Sequence, residues 1–454
     1  MNATQTQPIP AEKGWPLLGI LPKFFSGDPY EYLKNIMLEK GDFVQVNIGP
    51  QPVYLVSNPD YLKRILQDNY LNYNKPGMLY DTAREVMGNG LVLSNGDFWL
   101  RQRRMIQPHL HRKQLGHLFA DMVISITEML DIWEQTADKG EIVELRDKMA
   151  EITINVITNT MFGRGAFTAS EVAEIGRRIT RIDHYNGETS MLPKWLPHPK
   201  RRQFLDDFNA TKQSVNHIIA KCREEKETSA SLIQMLINAV DEESQQKMTE
   251  QQLFDEVMTI FIAGYETNAT ALSWLGVVLH NHPDILKKLQ AEIDQVLEGR
   301  MPTFEDIHRL TYTRQVFMEV LRMYTVVPFL PRALNEPDQL GKYHLPAKST
   351  VLLFYHGVHH NPSVWKDPEV FDPDRFKPEN EAGRHAFAYV PFSGGPRKCA
   401  GDEFALMEGP LIMAMLFQRY NINILPNQIF TTKLSGVMHP ANGVKITFSK
   451  RSPA

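Results

Sequence analysis

Residues 392–401 read Phe-Ser-Gly-Gly-Pro-Arg-Lys-Cys-Ala-Gly, and a run of apolar, helix-forming residues follows. A single thiol, Cys399, therefore sits in a glycine-rich turn where a helix begins. Backbone N–H groups at a helix N-terminus point outward and favour negative charge. A thiol held there is drawn toward thiolate, the form that ligates a metal. Phe392 can shield the sulfur from water. Gly394, Gly395 and Gly401 let the backbone come close to a large flat ligand. Arg397 offers a fork of donors for a carboxylate. A lone cysteine is more often a buried small hydrophobe. The spaced pattern F-x-x-G-x-R-x-C-x-G is what separates Cys399 from Cys222, which lies in the charged stretch A-K-C-R-E-E and receives no role.

Three further groupings carry possible chemistry. Ala263-Gly264-Tyr265-Glu266-Thr267 interrupts an otherwise apolar helix with a glycine, which costs about 1 kcal/mol relative to alanine, and with polar side chains that need a reason there. Taken alone, Thr267 would bond back to the carbonyl one turn earlier and Glu266 would reach solvent. Glu319-Val320-Leu321-Arg322 sets a carboxylate and a guanidinium at the spacing where such pairs meet on a helix. The same tetrapeptide pattern occurs at Glu174–Arg177 and Glu381–Arg384, where it reads as a solvated face. Trp99 and Arg103 supply an indole N–H and a guanidinium, both suited to a carboxylate.

Taken together, these segments resemble the cytochrome P-450 family of haem-thiolate monooxygenases, in family order and over nearly the whole chain. The loop at 392–401 resembles the family's haem-binding loop, so Cys399 is expected to hold the iron of haem b (iron protoporphyrin IX). The A-G-x-[D/E]-T likeness implies that Ala263 and Gly264 make room for dioxygen, that the Thr267 hydroxyl donates toward it, and that Glu266 relays protons inward. Phe371-Asp372-Pro373-Asp374-Arg375-Phe376 resembles the F-x-P-x-R-F segment, which implies a buried network of Glu319, Arg322 and Arg375 behind the haem loop. Trp99, Arg103, Arg332 and Arg397 are implied as donors to the haem propionates. Asn268, after Thr267, departs from the small or hydroxyl residues frequent there. Positions matching the family's substrate contacts are Ile260, Ala263, Val326, Val327, Phe329 and Met438, with parts of 76–91. They are almost all apolar, so a hydrophobic substrate is expected: terpenoid-like first, fatty acid next, by general similarity to bacterial terpenoid and carotenoid oxidases.

The elements that must position these residues follow from periodicity. Phe43–Ile48 and Val53–Val56 read as strands around Gly49-Pro50. A short helix is expected after Asn58-Pro59, and a long loop over 75–97. From about 98 to 300 the pattern is helical, with breaks at 183–200 (Asn186-Gly187, then Pro193, Pro197 and Pro199 around Trp195, a possible lid) and at the polar connector 225–231. Thr249 and Gln252 form a capping box that opens a helix of about 30 residues ending before Pro283; apolar around its circumference, it should be buried. Another helix spans roughly 313–325. Residues 329–354 and 430–449 read as short strands. The fold class is mainly α with a small β-rich region and haem between two central helices, one carrying Thr267, the other following Cys399. The chain reads as one domain over 1–454, with about residues 1–10 disordered.

Composition excludes other classes. The chain has 454 residues, is 43% hydrophobic and carries a net charge of −4, which gives no reason to expect nucleic acid. Two distant cysteines make no disulfide framework, so a reducing, cytoplasmic setting is expected. The polar, proline-punctuated N-terminus lacks the pattern of a signal peptide, and no apolar run is long enough for a transmembrane segment. The resemblance is therefore to a soluble, bacterial-type member. No fused flavin or iron–sulfur domain is expected, so electrons are expected from a ferredoxin or flavodoxin and its NAD(P)H-dependent reductase. The basic run at 101–113 (Arg101, Arg103, Arg104, His109, His111, Arg112, Lys113) is expected near Lys398, where it could steer an acidic donor. The rival reading is a non-catalytic haem-thiolate protein that binds ligands or senses gas; the Glu266–Thr267 pair speaks against it, because such a protein has no need of proton delivery. A peroxide-driven enzyme is disfavoured by the same pair.

Overall fold

The computed structural model describes residues 7–75, 77–189, 197–224, 231–433 and 436–451. The chain forms two compact units. One comprises 1–79, 318–399 and 430–442, and the other 80–317, 400–429 and 443–454.

The first unit is built on a five-stranded sheet. Its edge hairpin pairs Phe43–Ile48 antiparallel with Gln51–Val56, turned at Gly49, whose φ of +60° is the left-handed conformation glycine tolerates. Gln51–Val56 continues in parallel with Thr350–Phe354, which pairs antiparallel with Phe329–Leu334, and Tyr73–Asn74 completes the sheet. Val44, Val46, Leu55 and Phe354 face one buried cluster. Phe43, Val56, Val351 and Leu353 face the other. This alternation is the period of two that a sheet covered on both faces requires. Residues 7–10, expected to be disordered, are held instead: Gln45 N–H donates to Pro10 O at 2.8 Å and Gln7 N–H to Lys342 O at 3.2 Å.

The second unit is helical and centred on Glu250–Asn281. The capping box forms as expected: Thr249 accepts from the Gln252 backbone and Gln252 from the Thr249 backbone. Leu145–Phe162 packs along this long helix. Close approach is allowed by two glycines: a Cβ at Gly276 would lie 2.4 Å from Leu145 Cδ2, and one at Gly264 would lie 3.1 Å from Ile157 Cδ1. A three-stranded sheet of Val143–Glu144, Lys445–Lys450 and Tyr420–Ile424 closes one end. Among the described residues, no helix is long and apolar enough to cross a membrane.

Three expectations need correction. Residues 77–87 are helical rather than part of a long loop; Gly77, Gly88 and Gly90 flank a stretch of ordinary helix formers, and buried Tyr80 and Val86 anchor it. The helix Ala169–Thr189 runs through Asn186-Gly187 without a break. Tyr185 stacks on Phe204 at 4.4 Å, and this packing offsets the glycine's propensity cost. Arg384 does not face solvent: its guanidinium lies over the Trp365 ring at 4.6 Å. Pro193 and Trp195, and nearly all of the 225–231 connector, lie outside the described residues.

Candidate functional site

Cys399 closes a tightly braced loop in the first unit. Its N–H donates to Phe392 O at 2.9 Å, so the segment folds back on itself. Ser393 has φ +61° and shares a 2.8 Å hydrogen bond with the Tyr355 hydroxyl. Gly395, at φ +66°, presses on the turn at Arg64–Asp68; a Cβ there would lie 1.9 Å from Leu66 O. At Gly394 a Cβ would lie 2.5 Å from the Phe387 ring. Both glycines are thus required by packing against the protein itself, whereas the sequence alone suggests only close approach to a ligand. Cys399 is exposed, Phe392 and Arg397 are half-buried, and the helix Asp402–Arg419 follows with Gly401 as its N-cap.

Behind the loop stands the expected charge cluster. Arg322 donates from Nε to Glu319 Oε2 at 2.7 Å and from Nη2 to Oε1 at 2.8 Å, and both side chains are fully buried. Arg375 Nε lies 3.3 Å from Glu319 Oε1. Arg322 Nη1 also caps His359 O at 2.7 Å and Pro368 O at 2.9 Å. His359 accepts the Val390 N–H at Nε2, 2.9 Å away, so its proton is on Nδ1, which faces Thr325 Oγ1 at 2.7 Å. Burial, reinforced by the Arg322 charge, holds His359 neutral with its pKa far below the usual range. Sequence reasoning alone misses this histidine, which ties Arg322 to the irregular segment around Val390 that leads into the Cys399 loop. By contrast, Glu174–Arg177 is a surface pair, as expected.

Other predicted residues of this unit fall close by in the chain. Arg332 is buried on the Phe329–Leu334 strand and donates to Pro331 O at 2.8 Å. Met438 N–H donates to Val326 O at 2.8 Å, which brings these two candidate substrate contacts together. Val327 and Phe329 are half-buried beside them in sequence.

In the second unit, the long helix is buried from Leu253 to Leu279 except at Ile260, Ala263, Gly264, Glu266 and Thr267. Ile260, Ala263, Gly264 and Thr267 recur at helical spacing on one face. A buried helix therefore carries a single partly open stripe at the motif that the sequence marked. Thr267 Oγ1 donates to Ala263 O at 2.8 Å. Glu266 does not simply reach solvent. Its Oε1 lies 3.2 Å from Arg146 Nη2, a partner that no spacing in the sequence signals. Burial pushes the Glu266 carboxyl up, and Arg146 pulls against that shift. Trp99 (buried) and Arg103 (half-buried) lie one turn apart on Gly96–Ile106, with Arg103 Nε donating to Gln107 Oε1 at 2.7 Å.

The basic run is largely engaged internally. Arg104 pairs with Asp241 at 2.8 Å and Glu243 at 3.0 Å, Arg101 bonds Gln252 at 3.0 Å, and Arg112 meets His308 at 2.7 Å.

A family model described as cytochrome P450 matches residues 9–448. Protein LUTEIN DEFICIENT 5, chloroplastic, of Arabidopsis thaliana is 31% identical, covering 92% of this chain and 74% of that one. Carotene epsilon-monooxygenase, chloroplastic, of the same plant is 30% identical, covering 91% and 81%. Cyclooctat-9-en-7-ol 5-monooxygenase of Streptomyces melanosporofaciens is 32% identical, covering 88% and 86%. The crystal structure of the cytochrome P450DA haem domain superposes with a TM-score of 0.90 over 99% of each chain at 23% identity, which shows the fold. The chain belongs to the cytochrome P450 family. It is a haem monooxygenase, an oxidoreductase that incorporates oxygen from dioxygen. The donors of each unit suit parts of that group: in the first, an exposed thiol suits iron and the Arg332 and Arg397 guanidinium groups suit carboxylates; in the second, the Trp99 indole and Arg103 guanidinium suit a carboxylate.

Proposed function

We propose that this cytochrome P450 hydroxylates or epoxidises a hydrophobic terpenoid in the cytoplasm, with a fatty acid as the next substrate class. The observation that carries the reading is the partly open Ile260–Ala263–Gly264–Thr267 stripe in an otherwise buried helix. Open surface in the middle of a core helix costs apolar burial, and its coincidence with a hydroxyl and an acid supports the reading of this face as the one that handles substrate and dioxygen. Cys399 holds haem b, with Phe392, Gly395 and Gly401 shaping the loop around the sulfur. Trp99, Arg103, Arg332 and Arg397 hold its propionates. When bound, the haem supplies the activation of dioxygen. Ala263 and Gly264 leave room, the Thr267 hydroxyl directs a proton, and Glu266 brings protons in. Ile260, Val326, Val327, Phe329 and Met438 wall the substrate with apolar surface. Glu319, Arg322 and Arg375 stiffen the loop from behind. Electrons arrive from a separate ferredoxin or flavodoxin with its NAD(P)H-dependent reductase, and the two units act as one catalytic domain.

Support for a terpenoid comes from relatives whose names specify carotene and cyclooctat-9-en-7-ol. The test is twofold. Reduced protein with carbon monoxide should give the red-shifted Soret band of an anionic sulfur ligand, and Cys399→Ala should abolish it. A panel of terpenoids and fatty acids, read as the low-to-high-spin shift of the ferric protein, should rank terpenoids first. A spectrum unchanged by the substitution, or a preference for fatty acids, would overturn the respective part.

A further inference from the structure

Asp255 and Glu256, two consecutive acids in the first half of the long helix, belong to none of the groupings above. Both are buried. Asp255 Oδ2 accepts the Asn89 N–H at 2.9 Å, and Glu256 Oε2 accepts the Leu91 N–H at 2.9 Å. Thr259, one turn on, donates to Met87 O at 3.4 Å. Three side chains of one helix thus grip the connection between Gly77–Met87 and Gly96–Ile106.

The grip needs two glycines. A Cβ at Gly88, where φ is +57°, would lie 2.2 Å from Asp255 Oδ1; one at Gly90 would lie 2.1 Å from Thr259 Oγ1 and 2.8 Å from Asp255 O. The second oxygen of Glu256 accepts from Gln102 Nε2 at 3.1 Å, and Gln102 is fully buried. On either side of Gln102, Arg101 reaches Gln252 at 3.0 Å and Arg104 reaches Asp241 at 2.8 Å. These anchors occupy the helix surface on one side and leave Trp99 and Arg103, one turn apart, on the other.

We propose that Asp255, Glu256 and Thr259 clamp the 88–91 connection, and that Glu256, through Gln102, is a positioning residue for the helix that presents Trp99 and Arg103 to the haem. The effect on haem rests on the propionate role given to those two residues. Glu256 fixes a backbone N–H and a side-chain amide at once, so it sets both where the helix begins and how it is rotated. Groups that orient the side chains around a metal centre in this way change its affinity about 10–100-fold when removed.

The test uses the holoenzyme and two readouts, amide hydrogen exchange and haem transfer to apomyoglobin. Glu256→Leu should raise exchange across 88–95 and 99–104 and speed haem transfer by about tenfold. Glu256→Gln should restore both. Its carbonyl keeps the Leu91 N–H and its amide can serve Gln102 Oε1, a buried oxygen that has no hydrogen-bond partner among the described residues. A merely space-filling role predicts no such rescue. If Glu256→Leu does not fold, Gly90→Ala loosens the same connection, and Thr259→Ala added to it should return part of the protection. Unchanged exchange in 88–95 overturns the clamp. Raised exchange with unchanged haem transfer overturns the positioning role if Trp99→Phe and Arg103→Gln do speed transfer. If those two leave transfer unchanged, the propionate reading fails by itself, and exchange at 99–104 then decides for or against positioning.

Discussion

Asn268, the residue after Thr267, donates its side-chain amide to Oε2 of Glu408 on the Asp402–Arg419 helix. Glu408 is completely buried, and its Oε1 has no hydrogen-bond partner among the described residues. Burial pushes its carboxyl up to about 8, with the Asn268 bond pulling the other way. An uncharged acid therefore stands directly behind the Ala263–Thr267 motif at neutral pH. The departure at position 268 has a structural reason, since an amide can donate to that acid.

This acid makes stability depend on pH in the less usual direction. Folded Glu408 keeps a proton up to about pH 8, whereas the unfolded side chain releases it near 4.5. The folded state binds more protons across that window, so its stability falls as pH rises from 4.5 to 8 and levels off above. The ceiling on this loss is on the order of 5 kcal/mol. Glu408→Gln keeps the neutral shape at every pH. Its melting temperature should exceed that of the parent by a margin that grows from pH 5 to 8; parallel curves would refute the shift.

Thr267→Ala removes a hydroxyl whose present bond is to Ala263 O within its own helix. Such a bond contributes about 1 kcal/mol net, so the variant should fold and keep haem. Product formed per NAD(P)H should drop by about tenfold or more, with the balance appearing as hydrogen peroxide, while Thr267→Ser stays close to the parent. Unchanged coupling in Thr267→Ala would remove the hydroxyl from proton delivery.

Arg146→Leu takes away the cation that opposes the upward shift of Glu266. The Glu266 carboxyl should then titrate at higher pH. The midpoint of the pH profile of product per NAD(P)H should move upward with it, and a Glu266→Gln background should erase the difference. A profile indifferent to Arg146 would mean that Glu266 is not the titrating group.

Glu319→Ala strands two guanidinium groups, Arg322 fully buried and Arg375 at 3.3 Å. Leaving a buried charge unpaired costs roughly 3–5 kcal/mol, enough to lower the melting temperature steeply and to shed haem. Replacing the Glu319–Arg322 pair together by apolar residues should cost less than either single change. Differential scanning calorimetry and the haem-to-protein ratio decide; normal haem content in Glu319→Ala would contradict the role.

Much of the candidate site was legible because its signals are local. The Cys399 loop is one contiguous stretch, the capping box and the Ala263–Thr267 motif lie in one helix, and Glu319 and Arg322 are one turn apart. Glu408 also left a trace, a single acid in the apolar run from Phe404 to Phe417. The helix at 77–87 was hidden because its flanking glycines and asparagine resemble a loop. Their reason lies 165 and 166 residues away, in acids that the chain brings against Leu91 and Asn89.

From the residue order alone came the family likeness, the thiol proposed to meet iron, the acid–alcohol pair and the class of fold, since each depends on spacing within one segment. The folded molecule decided what no local pattern encodes. Gly395 is demanded by Leu66, Glu266 answers to Arg146, His359 is neutral with a fixed tautomer, and Glu408 keeps its proton. Each of these rests on a contact between distant parts of the chain and on the loss of water around it, and charge and protonation follow from that environment.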